Sequence, residues 1–302
     1  MKWLPPSHEF RRRFAIVHDG ENVGKRLEEL ADLANSNLSY LEVQQVDAAL
    51  SRTGRGRSRF DDIRLAVLAA STVDHLLPSI RVAGLRRGLR IQTYASGYGQ
   101  HRQEASEPTP HLSEFRPDVV LFSLVAREFI GATSLTASAG EADRAIASAI
   151  EDLRAMWSSA RQRLGAVIIQ QSFLDVEAPV FGGLDSAVAG APARLVQRLN
   201  AALCDAAQQD GVLLLDIARA SARDGLDAWF DNARWLHAKM EIAPQAAPTY
   251  GDLIARLIAA ARGKSKKCLV LDLDNTVWGG VVGDDGIEGI QLGEGSAVGE
   301  AH

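Results

Sequence analysis

The sequence has few cysteines and no excess of basic residues, and each shortage excludes a class of protein. Its 302 residues include only two cysteines, Cys204 and Cys268, so a disulfide framework is excluded and a reducing, cytoplasmic compartment is expected. Lysine plus arginine is 33 and aspartate plus glutamate is 38, which gives a formal net charge of −5 at pH 7. A mildly acidic chain does not suit a nucleic-acid partner, because phosphate binding needs a basic surface.

Long hydrophobic runs are missing too. No run reaches the roughly 18 apolar residues of a membrane span, and the charged N-terminus lacks the apolar stretch of a signal peptide. We therefore expect neither a membrane partner nor secretion. The triplet Arg11-Arg12-Arg13 is more typical of a solvated surface than of a nucleic-acid or targeting signal. With 46% hydrophobic and 24% charged residues, the composition is that of a globular protein.

Short apolar runs alternate with helix-like segments through the middle of the chain. Strands are predicted at 63–69, 89–94, 118–125, 166–171 and 211–216, and helices near 73–88, 139–163, 191–209 and 248–262. This alternation predicts an α/β fold over residues 61–262, with a doubly wound parallel sheet covered on both faces. Residues 1–60 predict a helical lead-in ending in a Gly- and Arg-rich linker, and a polar break at 263–267 begins a third region, 263–302.

The strongest chemical motif opens that third region. It reads Leu269-Val-Leu-Asp-Leu-Asp-Asn-Thr-Val-Trp-Gly-Gly, and we expect its apolar part to be a strand that runs into Asp272 and Asp274. Two carboxylates so close together attract Mg²⁺, which prefers carboxylate and phosphate oxygens. One carboxylate can then attack phosphorus, and the other can protonate the leaving group and activate water. The alternative is a simple strand-to-turn transition in which Asp272 and Asn275 cap the turn.

The motif resembles the DxDxT motif of the haloacid dehalogenase superfamily, and its surroundings resemble the FkbH-like family within it. The resemblance extends upstream to Ser96-Gly-Tyr-Gly-Gln-His, Phe115-Arg-Pro-Asp-Val-Val and Trp229-Phe-Asp-Asn-Ala-Arg-Trp-Leu-His. It implies that Asp272 is the nucleophile, that Asp274 is the general acid/base, and that both belong to an Mg²⁺ site. It also implies that Thr276 and Asn275 support the phosphate-binding loop.

The family resemblance further implies a substrate and a partner. Members are expected to move a glyceryl unit from a phosphorylated three-carbon compound, 1,3-bisphosphoglycerate, to the thiol of an acyl carrier protein for polyketide extender-unit synthesis. Residues 263–302 contain only the first motif of the phosphatase-type domain. We therefore expect this chain to be a truncated form without a competent site of that type. The alternatives are a non-catalytic carrier-protein-docking module and a Ser-dependent esterase or acyltransferase.

The α/β region is similar to the SGNH-hydrolase-like, flavodoxin-like N-terminal part of that family. In that fold a serine follows the first strand and a histidine precedes the last helix, which points to Ser71 and His237. The match is loose: the serine block reads Ala69-Ala70-Ser71, and Asp231 and His237 are six residues apart instead of three. Ser71 could instead cap the following helix, with Asp74 in its first turn, and His237 could be a packed or surface residue.

Other residues carry weaker signals. Cys268 is either an acyl relay to the carrier protein or a small buried hydrophobe in a strand, and Cys204 reads as core. The pair Gln170-Gln171 matches an oxyanion-binding block only loosely. Trp229 and Trp278 are expected to pack instead of binding ligand.

Overall fold

A computed structural model describes residues 3–17, 22–54, 56 and 58–301. Arg55 and Arg57 of the predicted linker lie outside these residues. The chain divides into two compact units, Met1–Arg262 and Gly263–His302. In the described part of the chain, no helix is both long enough and apolar enough to cross a membrane.

The first unit is built on a sheet of five parallel strands. Their order is β2-β1-β3-β4-β5, with bounds β1 Asp61–Ala69, β2 Leu89–Ala95, β3 Val119–Ser123, β4 Val167–Gln171 and β5 Leu213–Leu215. Ile63 is paired with Ile91 on one side of β1, and Leu65 is paired with Val119 on the other. The sequence prediction of a doubly wound parallel sheet is confirmed.

Helices cover both faces of the sheet. The helices of the first unit have the bounds α1 Phe10–Ala15, α2 Val23–Ala34, α3 Tyr40–Ser51, α4 Leu77–Leu85, α5 His101–Ser106, α6 Pro110–Phe115, α7 Arg127–Ile130, α8 Ala139–Leu164, α9 Pro192–Gln209, α10 Ile217–Asp224, α11 Asn232–Ala238 and α12 Ala247–Ala261. The second unit contains α13 Val282–Gly289 and α14 Ala297–Ala301. The longest, α8, begins at a capping box between Ser138 and Glu141 and ends at the left-handed Gly165. Both signals are local, and they explain why its bounds match the sequence prediction closely.

Side chains that alternate along each strand between the two faces of the sheet divide the core into two layers. On one face, Leu68 and Phe122 pack with Trp157 of α8 and with apolar residues of α9. On the other face, Leu65 and Leu121 pack with residues of α4, α10 and α12. Successive side chains of a strand point to opposite faces, so a strand buried on both sides reads as one continuous apolar run.

The helical lead-in packs against the α/β part of the same unit. Leu27, Leu30 and Val46 form a third apolar cluster with Val82 and Leu85 of α4. Hydrogen bonds of 2.7 Å from the Arg81 guanidinium on α4 to both carboxylate oxygens of Asp47 on α3 fix this contact.

The second unit corrects the prediction of a strand at Cys268–Asp274. Among the described residues 263–301 there is no strand, only isolated bridges between Asp274 and Trp278 and between Gly279 and Gln291. Leu269 and Val270 are 79% and 88% exposed. An apolar run becomes a strand only when a neighbouring strand pairs with its backbone, and these residues provide none. Cys268 is exposed, so it is not the buried small hydrophobe, and Cys204 is likewise exposed on α9 instead of lying in the core.

Candidate functional site at the carboxyl edge of the sheet

The carboxyl ends of β1 and β3 lie side by side at the point where the strand order reverses. β2 lies on one side of β1 and β3 on the other, and the backbone N–H of Ala70 donates to the Ser123 carbonyl over 3.0 Å. Ligands of open α/β sheets bind at this kind of switch point. The sequence candidates of the first unit are therefore best judged by their position relative to this edge.

Ser71 lies two residues after the end of β1 and is only 4% exposed. The alternative role as a helix cap is wrong, because α4 begins six residues later at Leu77. The residue before α4, Leu76, makes no side-chain capping bond, and Pro78 occupies the first turn of this helix. Ser71 thus lies in the loop at the switch point and does not terminate the helix.

His237 lies on the neighbouring segment, but its side chain is exposed on α11. Thr72 connects the two segments: its N–H donates to the Lys239 carbonyl over 2.9 Å and its hydroxyl to the Ala238 carbonyl over 2.7 Å. Among the contacts of the described residues, no hydrogen bond joins Ser71 to His237. The topology therefore brings the two loops together without pairing the two side chains.

Asp231 has a structural task of its own. Its Oδ1 accepts hydrogen bonds from the backbone N–H groups of Ala233 and Arg234, and so caps the N-terminus of α11. Its other oxygen is 3.1 Å from the Arg234 guanidinium. Both carboxylate oxygens are thus engaged at the opposite end of α11 from His237.

A second histidine, which sequence reasoning missed, lies four residues after Ser71. His75 is 9% exposed, and its Nε2 is 2.7 Å from the Ile242 carbonyl. Burial lowers the pKa of His75, although the Ile242 carbonyl and Asp74 oppose that change. A neutral ring that donates through Nε2 leaves Nδ1 as a buried acceptor, and Nδ1 has no hydrogen-bond partner among the described residues.

A buried polar network joins the ends of β3 and β4 to the last helix of the unit. The Tyr250 hydroxyl and the Ser123 hydroxyl both donate to Gln171 Oε1, over 2.7 and 3.1 Å. Gln171 Nε2 donates to Glu241 Oε2 over 3.3 Å. The neighbouring Gln170 accepts from the Trp157 indole over 3.0 Å. The two glutamine side chains that loosely matched an oxyanion-binding block thus form hydrogen bonds with other buried side chains.

Glu241 is the carboxylic acid of this network, and its pKa is far from the ordinary value. It is 2% exposed, and burial raises its pKa to about 8, with a further increase from the negative charge of Glu128. The hydrogen bond from Gln171 works in the opposite direction, because it stabilises the carboxylate. At neutral pH the carboxyl is therefore mainly protonated and can donate a hydrogen bond. Burial also raises the pKa of Tyr250 above its ordinary value.

A cavity of about 440 Å³ opens beside Glu241. Its walls come from the segments after β3 and β4, from the start of α9, and from Phe230 and Trp235. Most lining residues are apolar. The ionisable residues of the lining are Glu241 and the ion pair of Arg127 with Glu177, whose closest atoms are 2.8 Å apart. The Arg127 side chain is 65% exposed, which places this pair on the solvent side of the cavity.

The motif of the second unit places its two carboxylates in different surroundings. Asp274 Oδ1 accepts hydrogen bonds from the Trp278 indole over 3.0 Å and from the Val282 backbone N–H over 3.2 Å. Trp278 thus supports a motif residue instead of packing in a core, whereas Trp229 is buried as expected. Asp272 is exposed, and its Oδ1 accepts from the N–H of Leu273 over 2.9 Å.

Asn275 shapes the turn between these residues and the glycine pair. It has a left-handed φ of 52°, which asparagine tolerates better than most residues, and its Oδ1 accepts from the Gly280 N–H over 3.0 Å. Thr276 lies next to it in the same turn. This geometry fits a loop-supporting role for Asn275.

The donor set does not by itself complete a metal centre. Within the described ranges, no three His, Cys, Asp or Glu side chains come close enough together to hold a metal ion. Asp272 and Asp274 offer the oxygen ligands that Mg²⁺ prefers, but one oxygen of Asp274 is already bonded twice. The roles assigned to these carboxylates, and to Cys268 as an acyl relay, remain predictions.

The residues that sequence reasoning missed are Glu241, Tyr250 and His75. Only Glu241 gave a local signal, as an acidic residue inside the otherwise apolar stretch Met240-Glu-Ile-Ala. Tyr250 and Gln171 are 79 residues apart in sequence. No short pattern could have paired them.

Comparison with known proteins gives the family. The model of the domain described as FkbH, N-terminal domain matches residues 64–259. The chain belongs to the FkbH family. The matched range contains the whole carboxyl-edge site of this FkbH chain, from Ser71 to Tyr250.

A solved structure agrees with this assignment. It is the N-terminal part of a Bacteroides fragilis protein that contains a phosphatase domain and is complexed with Mg. The two are 25% identical with a TM-score of 0.72, over 87% of the FkbH chain described above and 68% of the other chain. No curated protein matches the sequence.

Two esterase-type structures show weaker likenesses. An acetyl xylan esterase, AlAXEase, is 9% identical with a TM-score of 0.40, over 66% of this chain and 99% of that one. Phospholipase A1 from Streptomyces albidoflavus is 14% identical with a TM-score of 0.41, over 68% and 100%. Neither likeness bears on the activity of the FkbH chain.

Proposed function

We propose that this FkbH-family chain serves glyceryl transfer, in which a glyceryl unit moves from 1,3-bisphosphoglycerate to the thiol of an acyl carrier protein and phosphate is released. The product would supply polyketide extender-unit synthesis. The observation that carries this proposal is the Asp272-Leu-Asp-Asn-Thr motif in a chain of this family.

The two carboxylates have separate proposed tasks. The carrier-protein thiol attacks the acyl carbon, the bond to the acyl phosphate breaks, and the thiol proton passes to solvent. Asp272 attacks the phosphoryl group on C3 of the resulting thioester and becomes an aspartyl-phosphate, while Asp274 protonates the departing C3 oxygen of the glyceryl group. Asp274 then takes a proton from water, and this water releases phosphate from Asp272. The indole of Trp278 and the Val282 N–H hold Asp274 in position for both proton transfers.

Mg²⁺ is the proposed cofactor of the complete phosphatase-type domain. Similarity to the Mg-bound Bacteroides fragilis structure supports it. The described residues supply two carboxylates without a third acidic ligand, so they do not complete the site alone.

Carrier-protein loading tests the proposal directly. The full-length product of the gene is incubated with Mg²⁺, 1,3-bisphosphoglycerate and a carrier protein bearing its thiol arm, and the intact mass of the carrier protein is measured. We expect a mass increase of one glyceryl unit with the natural protein, whereas any carrier protein loaded by Asp272→Asn should keep the phosphoryl group and show the larger increase of a phosphoglyceryl unit. Asp284→Asn is the matched control, because this exposed carboxylate lies in the same unit outside the motif. The same glyceryl product from the natural protein and Asp272→Asn, or no loading by the natural protein, would reject the proposal.

A non-catalytic binding role for the first unit is the second candidate. The favouring observation is that Ser71 and His237 share no hydrogen bond, while the adjacent cavity carries a buried acid in place of a nucleophile. A Ser-dependent esterase would lose hydrolysis of a generic acyl ester in Ser71→Ala. A binding module would show no such hydrolysis before or after the substitution.

A further inference from the structure

The cavity beside Glu241 combines apolar walls with one buried hydrogen-bonding group. Leu174 and Leu195 are both 1% exposed, as is Val196, and all three line it. Glu241, which is 2% exposed, is a buried ionisable residue of the lining. Its Oε2 accepts from Gln171, and the contacts of the described residues give its Oε1 no partner. The Glu241 carboxyl therefore adds one polar group to an otherwise apolar part of the cavity wall, where a ligand can form a hydrogen bond with it.

The lining lacks the Ser–His pair that an esterase of this fold would use. The described residues that line the cavity include no serine, cysteine, lysine or histidine, and Thr133 brings the only side-chain hydroxyl. Neither Ser71 nor His237 is among them. The lining therefore favours binding of an apolar group over its cleavage by a serine nucleophile.

We propose that this cavity is a binding site for an uncharged aliphatic acyl group, in amide, ester or thioester linkage, whose carbonyl oxygen accepts a hydrogen bond from the Glu241 carboxyl. A cavity of about 440 Å³ lies in the size range of small-molecule sites. The apolar walls match the aliphatic body, and the one buried donor matches the one strong acceptor.

The charges around Glu241 favour a neutral ligand. Glu128, whose carboxylate lies 3.1 Å from His101 Nε2, raises the pKa of Glu241, and the buried Tyr250 hydroxyl is a further titratable group near it. Arg127 and Glu177 line the same cavity but neutralise each other through two hydrogen bonds to Glu177 Oε1 and one to Oε2, of 2.8 to 3.1 Å. A free carboxylate would meet an acidic neighbour in an apolar site, and burial of an unpaired charge is strongly unfavourable.

Gly190 allows the wall of the cavity to close. A Cβ at this position would lie 2.9 Å from the Leu135 carbonyl oxygen and would press still harder on Ser134. The chain after α7 therefore approaches Gly190 closely, and both Leu135 and Gly190 line the cavity. This close backbone contact forms part of the cavity wall.

The binding test uses three matched probes of equal chain length. Isothermal titration calorimetry at pH 6.5 compares hexanamide, hexanoate and hexylamine. We expect the neutral amide to bind at least tenfold more tightly than either charged probe. Extending the series from butanamide to octanamide should tighten binding about fourfold per methylene until the cavity is filled.

Three variants locate the binding. Glu241→Gln keeps a donor and should change hexanamide affinity by less than about threefold, whereas Glu241→Leu should weaken it about tenfold. Val196→Trp fills the cavity and should abolish binding. Leu236→Trp is its control, because Leu236 is 62% exposed and does not line the cavity. Circular dichroism melts establish that each variant is folded.

Several results would overturn the proposal. They are preferential binding of hexanoate or hexylamine, hexanamide binding that survives Val196→Trp in a folded protein, or no binding of any amide. The readout involves no carrier protein and no phosphate. Failure of this inference is thus distinguishable from failure of the proposed glyceryl transfer.

Discussion

The hydroxyl of Tyr250 lies 2.7 Å from Oε1 of Gln171, and both side chains are completely buried. This bond joins α12 to the carboxyl end of β4. The same amide oxygen accepts from Ser123 at the end of β3. Two neighbouring strands and the last helix of the unit thus converge on one side chain.

Removal of the Gln171 amide should destabilise the first unit more than removal of the Tyr250 hydroxyl. Tyr250→Phe leaves Gln171 bonded to Ser123 and should lower the free energy of unfolding by about 1 kcal/mol. Gln171→Leu removes a hydrogen-bond partner from Tyr250, Ser123 and Glu241 at once and should cost about 3 kcal/mol. Urea denaturation followed by tryptophan fluorescence measures both. Tyr98→Phe is the control, since Tyr98 is 63% exposed, and a Gln171→Leu protein as stable as this control would contradict the network.

Glu241 should make the protein less stable as the pH rises through neutrality. The carboxyl has an ordinary pKa of 4.5 and a folded-state pKa of about 8. Between these values the folded state binds more protons than the unfolded state, so the free energy of unfolding falls as pH increases. The slope from this group is at most about 1.4 kcal/mol per pH unit, and it vanishes below the lower value and above the higher one.

Glu241→Gln should remove this dependence. Urea denaturation at pH 5.5, 6.5, 7.5 and 8.5 would compare it with the natural protein and with Glu151→Gln, an exposed carboxylate on α8. We expect a flatter profile for Glu241→Gln alone. Parallel profiles for all three proteins would show that Glu241 is ionised throughout.

Two helical glycines should respond in opposite ways to substitution by alanine. Gly251 on α12 faces α4, and a Cβ there would collide with the Ser79 carbonyl and lie 2.8 Å from the Ile80 nitrogen. Gly140 on α8 would meet only a guanidinium nitrogen of Arg144, 3.8 Å away. Gly251→Ala should therefore cost about 2 kcal/mol as α12 is forced away from α4.

Gly140→Ala should be neutral or stabilising by up to about 1 kcal/mol, because alanine has the higher helix propensity. Thermal melts of the two variants give the comparison. If Gly251→Ala melts at the temperature of Gly140→Ala, the two helices do not cross as closely as the structure describes.

The sheet could be predicted from the sequence because each of its strands is a short, continuous run of apolar residues. The same signal failed at Leu269–Leu273. Leu121 on β3 is completely buried, whereas Leu269 is 79% exposed, although both lie in similar apolar runs. Composition sets the tendency to extend, and the partner strand decides whether a strand forms.

The polar part of the site was harder to predict for a related reason. Gln171 and Glu241 are 70 residues apart, and their contact exists only once β4 and the segment before α12 are in place. Ser71 was found at the expected edge because its position depends on the end of a single strand. Its predicted helix-capping role failed, since the helix start was set by Leu77 and Pro78 instead.

The Arg81–Asp47 pair should hold the helical lead-in on the α/β part of the unit. Its carboxylate is 10% exposed, and Arg81 also donates to the Thr93 hydroxyl over 2.6 Å. Asp47→Asn removes the charge from two hydrogen bonds of 2.7 Å and should lower the free energy of unfolding by about 2 kcal/mol. The comparison is Asp152→Asn, which removes an exposed ion pair with Arg102 at 3.7 Å and should cost less than about 0.5 kcal/mol.

The salt dependence separates these two pairs further. Raising the salt concentration screens the exposed Arg102–Asp152 pair strongly, but it screens the largely buried Arg81–Asp47 pair much less. The difference in unfolding free energy between Asp47→Asn and the natural protein should therefore persist in 1 M NaCl. If that difference disappears at high salt, the two charges interact through solvent and the apolar cluster of α2, α3 and α4 alone holds the lead-in in place.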